Sequence, residues 1–121
     1  MTAATGELER VELAPAAALF RSLGDPTRLA IVRRLATGPA RVVELVNAVG
    51  LAQSTVSKHL ACLRDCGLVT SEAVGRASLF RLTQPVLIDV LTSAETVLQA
   101  TGRAVALCPT YGVNRSPTGS Q

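Results

Sequence analysis

The chain has 121 residues and a mass of 12.6 kDa, which is enough polypeptide for a single domain. It is 48% hydrophobic with a formal net charge of only +3, and this combination excludes a disordered chain. No apolar run approaches the roughly 18 residues that a membrane span needs. Glu7, Glu9 and Glu12 stand where a signal peptide requires positive charge. We therefore expect a cytoplasmic protein without a membrane partner.

Positive charge is concentrated in the middle of the sequence. Residues 24–81 contain eight basic and four acidic residues and carry a net charge of +4, whereas residues 1–23 carry −1 and the remainder is neutral. A basic segment favours nucleic acid as a partner. Solvated Arg is also common on protein surfaces, so charge alone does not decide between these two interpretations.

Apolar spacing predicts four helices in the first half of the chain. They cover residues 8–23, 26–36, 41–48 and 53–66, and residues 1–7 are left as an N-terminal tail. Asp25 and Pro26 are an N-cap and a proline at the first helical position, and they place the start of the second helix. Gly67 follows the fourth helix as a C-terminal glycine cap.

After Gly67 the period of the apolar pattern changes from 3.6 to 2 residues. Two short strands are predicted over residues 68–74 and 77–82, and the Gly-Arg pair between them is a hairpin signal. A final helix follows over about residues 84–101. Residues 103–121 are predicted to be a flexible C-terminal tail that carries Cys108.

The element order is therefore four helices, a hairpin and a last helix. This order predicts a mainly α domain over residues 8–102 with a small β-hairpin. Residues 41–66 form a helix-turn-helix within it, and the hairpin is the wing of a winged helix-turn-helix.

The helix over residues 53–66 has an apolar stripe and an opposite polar face. At 100° per residue, the stripe consists of Val56, Leu60 and Leu63, and the opposite face contains Ser54, Ser57 and Lys58. A recognition helix presents such small, polar and basic groups to the major groove from its N-terminal turns. A solvated helix face has the same pattern, but the preceding turn and the following hairpin favour DNA binding.

Five short runs stand out along this domain: LGDPTRLAI at 23–31, STVSKHL at 54–60, GLV at 67–69, GR at 75–76 and FRL at 80–82. Together they resemble the ArsR/SmtB family of small winged-helix repressors, which leave their operator when a metal ion binds. The resemblance covers about residues 10–100. It implies a homodimer whose interface is built by the first and last helices, with operator double-stranded DNA as the partner.

The resemblance also implies which side chains meet the DNA. The major-groove set is Gln53, Ser54, Thr55, Ser57 and Lys58. Arg76 is expected to contact the DNA backbone or the minor groove from the wing, and His59 is expected near a phosphate or in a structural role. Because the single His belongs to this motif, and because no paired carboxylates, phosphate loop or nucleophile–base pair is visible, we expect neither an enzyme nor a small organic substrate.

The family places its sensor sites on different helices, and two of those sites are missing from this sequence. Residues 41–48 contain no cysteine pair, and the last helix contains Asp89 and Glu95 but no His. What remains is Cys62 with Cys66. Their i, i+4 spacing places the Cβ atoms about 5–6 Å apart on one helix face, which is too far for a relaxed disulfide but suits two thiolates that hold one ion. Two packing cysteines are the alternative.

The segment HLACLRDCGLV at 59–69 resembles the CmtR-type cadmium and lead sensors, in which two cysteines of the recognition helix join a third from the C-terminal tail of the other protomer. The resemblance implies a site formed by Cys62, Cys66 and Cys108, with Cd(II) or Pb(II) as the inducer. Three thiolates favour soft ions, so As(III) stays open. Zn(II) usually needs a fourth ligand, for which His59 is the candidate.

Two other mechanisms fit the same fold. In the first, the chain is a thiol-based redox-sensing repressor, because thiolates near Arg64 could be oxidised instead of binding metal. In the second, it is a winged-helix regulator whose signal is another protein. The sequence also leaves open whether Cys108 joins the site of its own protomer or that of the partner.

Overall fold

The computed structural model describes residues 2–103 and residue 107. In this part of the chain there are five helices and three strands: α1 Thr2–Leu23, α2 Pro26–Leu35, β1 Ala40–Arg41, α3 Val42–Val49, α4 Gln53–Asp65, β2 Val69–Val74, β3 Ala77–Leu82 and α5 Leu87–Ala100. The order confirms the predicted winged helix-turn-helix, in which α3 and α4 are the two helices and β2 and β3 are the wing. None of the helices in the described ranges is long and apolar enough to cross a membrane.

The N-terminal tail predicted for residues 1–7 is wrong from Thr2 onwards, because α1 begins there rather than at residue 8. Residues 2–7 contain two Ala and one Glu, which favour a helix, and the single Gly6 costs only about 1 kcal/mol. The helix also continues through Pro15, which removes one backbone hydrogen bond. Apart from residues 103 and 107, the predicted C-terminal tail lies outside the described residues.

The sheet has three strands rather than the predicted two. Strand β3 lies between β1 and β2, and both of its neighbours are antiparallel to it. The hairpin pairs Val69 with Leu82 and Val74 with Ala77, so the Gly-Arg pair joins two paired strands, as the hairpin signal predicted. Gly75 has a φ of 64°, a conformation that glycine adopts without the steric cost of a side chain.

The core lies where α2, α3 and α4 meet the base of the sheet. Its buried side chains are Leu23, Ile31, Val32, Leu35, Ala40, Leu45, Val56, Leu60, Leu63, Val69, Phe80, Leu87 and Leu91. The apolar stripe predicted for α4 is thereby confirmed, because Val56, Leu60 and Leu63 are all among them. Each such aliphatic side chain contributes about 1.5–3 kcal/mol by leaving water. The stripe therefore fixes which face of α4 points outwards.

Candidate nucleic-acid interface and thiol site

The helix-turn-helix is held by polar contacts at the start of α3 and by a glycine at its end. The Arg41 backbone N–H donates to Glu44 Oε1 over 2.8 Å, and this hydrogen bond lowers the pKa of the Glu44 carboxyl. Gly50 ends α3 in the left-handed region, with φ at 78°, so the chain turns at once into α4. This short turn sets the angle at which α4 leaves the domain.

The side chains predicted to face DNA lie on the outer side of α4 and at the tip of the wing. Gln53, Ser54, Ser57 and Lys58 are exposed, whereas Thr55 is half-buried. Arg76 is exposed in the turn between β2 and β3. The arrangement offers amide, hydroxyl and ammonium groups to a groove and a guanidinium to a phosphate. The DNA contacts themselves stay a prediction.

His59 faces inwards from α4 and contacts the junction between α1 and α2. Its Nδ1 lies 3.2 Å from Arg28 Nη1 and 3.8 Å from Asp25 Oδ2. Because a guanidinium has no acceptor, Nδ1 is the acceptor of this hydrogen bond in the neutral form of the ring. Nδ1 is thus already engaged by protein. The predicted role of His59 near a phosphate stays a prediction, and sequence reasoning did not find its two partners.

Arg28 is the centre of that junction. Its Nε donates to the Ser22 carbonyl oxygen over 2.6 Å, and its Nη2 donates to the Arg21 carbonyl oxygen over 3.2 Å. These two carbonyls belong to the last turn of α1, whose oxygens have no partner within the helix. One side chain of α2 therefore closes the end of α1 and also contacts α4 through His59.

Asp25 caps the helix that carries Arg28. The Arg28 backbone N–H donates to Asp25 Oδ2 over 3.0 Å, as the N-cap prediction requires. This hydrogen bond is the largest effect on the Asp25 carboxyl and holds its pKa below the ordinary value. Burial acts in the opposite direction, and the charges of His59 and Arg28 lower the pKa further. The cap and the junction thus share one carboxylate.

Cys62 and Cys66 lie one turn apart on the flank of α4. Both thiols are free; Cys62 is half-buried and Cys66 is exposed at the C-cap of the helix. Ser22 Oγ donates to Cys66 Sγ over 2.7 Å. Within the described ranges no three His, Cys, Asp or Glu side chains come together as a metal site. Cys108, the predicted third ligand, lies outside the described residues.

The residue before Cys108 is described, and it contacts α2 and α5. Leu107 packs partly buried against the core, beside Pro26, Ala30 and Arg33 of α2. Its backbone N–H donates to a carboxylate oxygen of Glu95, which is fully buried on α5. The burial of Glu95 was not predicted, because a charged residue on an amphipathic helix is usually solvated.

A helix-turn-helix with a polar and basic outer face, followed by a β wing, defines a winged helix-turn-helix DNA-binding regulator. Residues 25–71 match the bacterial regulatory protein, arsR family. A probable mercury resistance operon repressor of Streptomyces lividans is 31% identical over 105 residues, which is 87% of this chain and 84% of that protein. The chain belongs to the arsR family of transcriptional regulators, and it is therefore a regulator rather than an enzyme.

Two solved structures extend this comparison. The NMR structure of the cadmium metal-sensor CmtR from Mycobacterium tuberculosis is 40% identical, with a TM-score of 0.56 over 64% of this chain and 80% of that one. The homodimeric winged helix-turn-helix domain of a possible ArsR-family regulator from Mycobacterium bovis is 24% identical, with a TM-score of 0.68 over 75% of this chain and 84% of that one. The second comparison supports the fold alone.

Proposed function

We propose that this chain is a metal-responsive repressor that binds operator DNA as a homodimer and is released by a soft ion, Cd(II) or Pb(II). The ion is held by the thiolates of Cys62, Cys66 and Cys108. One observation carries the proposal: the thiol pair lies on the helix with the predicted DNA-reading face, on a different flank from that face. Ion binding and base contacts can therefore act on one rigid element without competing for the same side chains.

The DNA half of the proposal is supported by exposure and charge. The outer side of α4 presents small polar groups and Lys58, and its inner side is fixed by the buried stripe. A helix held in this way can enter a groove without being reshaped. We assign base and phosphate contacts to Gln53, Ser54, Thr55, Ser57 and Lys58 and a wing contact to Arg76. Of the two roles expected for His59, its contact with Arg28 favours the structural one.

The proposed dimer is supported by apolar side chains that one copy of the chain leaves exposed. Leu8, Val11, Leu13 and Phe20 on α1 and Val97 on α5 are each 62–69% exposed. Large aliphatic and aromatic groups clustered in this way usually mark an interface. A second copy that covers α1 and α5 would also hold the two α4 helices at a fixed separation.

The metal half is supported by the chemistry of the thiol pair. Cys62 and Cys66 are free, accessible and one turn apart, which suits two sulfurs that bind one ion. Thiolate ligands select soft ions, and the relative with 40% identity is named as a cadmium sensor. On binding, each thiol releases its proton to solvent. As(III) and Zn(II) are the other ions that a thiolate set of this kind accepts.

Ultraviolet titration of the full-length protein with Cd(II) tests the site. We expect a thiolate-to-metal absorption band that saturates at about one ion per chain and is lost in each of C62S, C66S and C108S. A matched titration with peroxide separates the redox alternative, since oxidation would release DNA without metal. Operator release by Cd(II) in all three variants at the wild-type concentration would refute the proposed ligands. If neither Cd(II) nor peroxide releases the wild type, and the three variants bind operator as the wild type does, a protein signal is favoured.

Mixed dimers decide which protomer supplies Cys108. One protomer carries C62S with C66S and therefore keeps its tail thiol, and the other carries C108S and keeps the pair on α4. If the tail crosses to the partner, the mixed dimer contains one complete site and binds one Cd(II). If the tail stays on its own protomer, where Leu107 is held, the mixed dimer has no complete site.

A further inference from the structure

A hydrogen bond joins the last turn of α1 to one of the two thiols on α4. Ser22 Oγ donates to Cys66 Sγ over 2.7 Å, although the two residues are 44 positions apart in the sequence. Ser22 is only 4% exposed, so little water competes for its hydroxyl, whereas Cys66 is exposed. The Cys66 residue is therefore open to solvent while its sulfur is held by α1.

We propose that Ser22 is a positioning residue for metal binding: its hydroxyl orients the Cys66 sulfur and links ligation there to the end of α1. This inference rests on the proposed function, because it takes Cys66 as a ligand. The hydrogen bond from the buried hydroxyl holds the Cys66 sulfur in one orientation, so less ordering of this ligand is needed when an ion binds. The Ser22 hydroxyl therefore favours the metal-bound form over the free form.

The backbone of Ser22 is fixed from a second side, which gives the hydrogen bond its wider effect. Arg28 donates to the Ser22 carbonyl oxygen over 2.6 Å and also contacts His59 on α4. The end of α1 is thus connected to α4 at both Cys66 and His59. A shift of the Cys66 sulfur on ligation acts on a junction of three helices and not on an isolated side chain.

Cd(II) affinity of the full-length protein measures the first part of the inference. We expect S22A to bind Cd(II) about 10-fold more weakly, because removing a group that is hydrogen-bonded to a metal ligand typically costs 10–100-fold in metal affinity. The number of ions bound and the thiolate absorption band stay unchanged. Competition with a chelator gives the affinity, and S71A on β2 is the matched control with an unchanged affinity. S22T keeps the hydroxyl and restores binding.

Affinity of S22A within twofold of wild type overturns the inference. Equal losses in S22A and S22T also overturn it, because the effect would then come from packing and not from the hydroxyl. If the proposed function is wrong, the result is different: C66S keeps full Cd(II) binding, because Cys66 is then not a ligand. If C66S loses the ion and S22A does not, only the role of Ser22 is refuted.

Hydrogen exchange tests the link to α1. In the wild type, Cd(II) should increase protection of the amides in the last turn of α1, around Ser22, and this increase should be absent in S22A. The measurement compares each variant with and without the ion, so a general loss of stability cancels. An increase that persists in S22A refutes the link.

Discussion

Replacing Arg28 with Ala should destabilise the protein more than any substitution of a solvated Arg. The guanidinium makes three hydrogen bonds at once, to the carbonyl oxygens of Arg21 and Ser22 and to Nδ1 of His59. A hydrogen bond with one charged partner contributes about 1.5–3 kcal/mol in general. Because Arg28 is half-buried, we take less than that for each. The expected loss is about 2–3 kcal/mol of unfolding free energy.

Urea unfolding followed by circular dichroism, at one fixed protein concentration, measures this loss. The concentration is held constant because dimer formation contributes to apparent stability. Thermal unfolding should show a decrease in Tm of about 10 °C for a domain of this size. R64A on the exposed side of α4 is the matched control, with a change within about 0.5 kcal/mol.

R28K separates the geometry of the guanidinium from its charge. An ammonium is a point charge and cannot reproduce the planar fork that joins two carbonyls and a ring nitrogen. We therefore expect R28K to recover less than half of the lost stability. A destabilisation of R28A no larger than that of R64A, or full recovery in R28K, would refute the reasoning about this junction.

Three further predictions concern the cap, the DNA face and the core. D25A should lose about 0.5–2 kcal/mol of unfolding free energy at pH 7, whereas D25N keeps the cap. Because the pKa of Asp25 in the folded protein lies below its ordinary value of 3.8, the carboxylate makes the wild type more stable than D25N above that pH. In acid denaturation this extra stability should disappear as the pH falls below 3.8. K58A should reduce the slope of log affinity against log salt concentration by about 2, because each dimer loses two phosphate contacts. Fluorescence anisotropy measures this slope, and R10A is the control in which it stays unchanged. L63A should cost about 2–5 kcal/mol in urea unfolding, because Leu63 is fully buried.

The helices were predictable where periodicity and capping residues agree. Asp25 and Pro26 placed the start of α2, and Gly67 placed the end of α4 within a residue. The start of α1 was missed because nothing in the first residues marks a cap, so apolar spacing alone suggested a later beginning. Strand β1 was missed because two residues, Ala40 and Arg41, are too few to show a period.

The site was predictable only as far as one helix determines it. The exposed and buried sides of α4 follow from its wheel, and so does the proximity of Cys62 to Cys66. The contacts of His59 with Arg28 and of Cys66 with Ser22 join residues 31 and 44 positions apart. Packing of three helices brings them together, and no local pattern encodes that distance.

The proposed release of DNA requires a movement of α4, because charge alone is too weak. An ion with charge +2 and three thiolates adds one negative charge to the site. At about 10 Å, the width of a helix, that charge repels a phosphate by about 0.4 kcal/mol in water, and salt screening reduces this to about 0.1 kcal/mol. Typical coupling between two sites is about 1–3 kcal/mol.

Release of DNA by a movement of α4 and release by the added negative charge differ in how they depend on salt concentration. Operator affinity itself should fall steeply between about 0.1 and 0.3 M salt, because counterions are released from the phosphates. The ratio of affinities without and with Cd(II) should change by less than about twofold over the same range, since packing and hydrogen bonds are little screened. Fluorescence anisotropy at each salt concentration gives both quantities. A ratio that falls together with the affinity would show that the added charge, and not a movement of α4, releases the DNA.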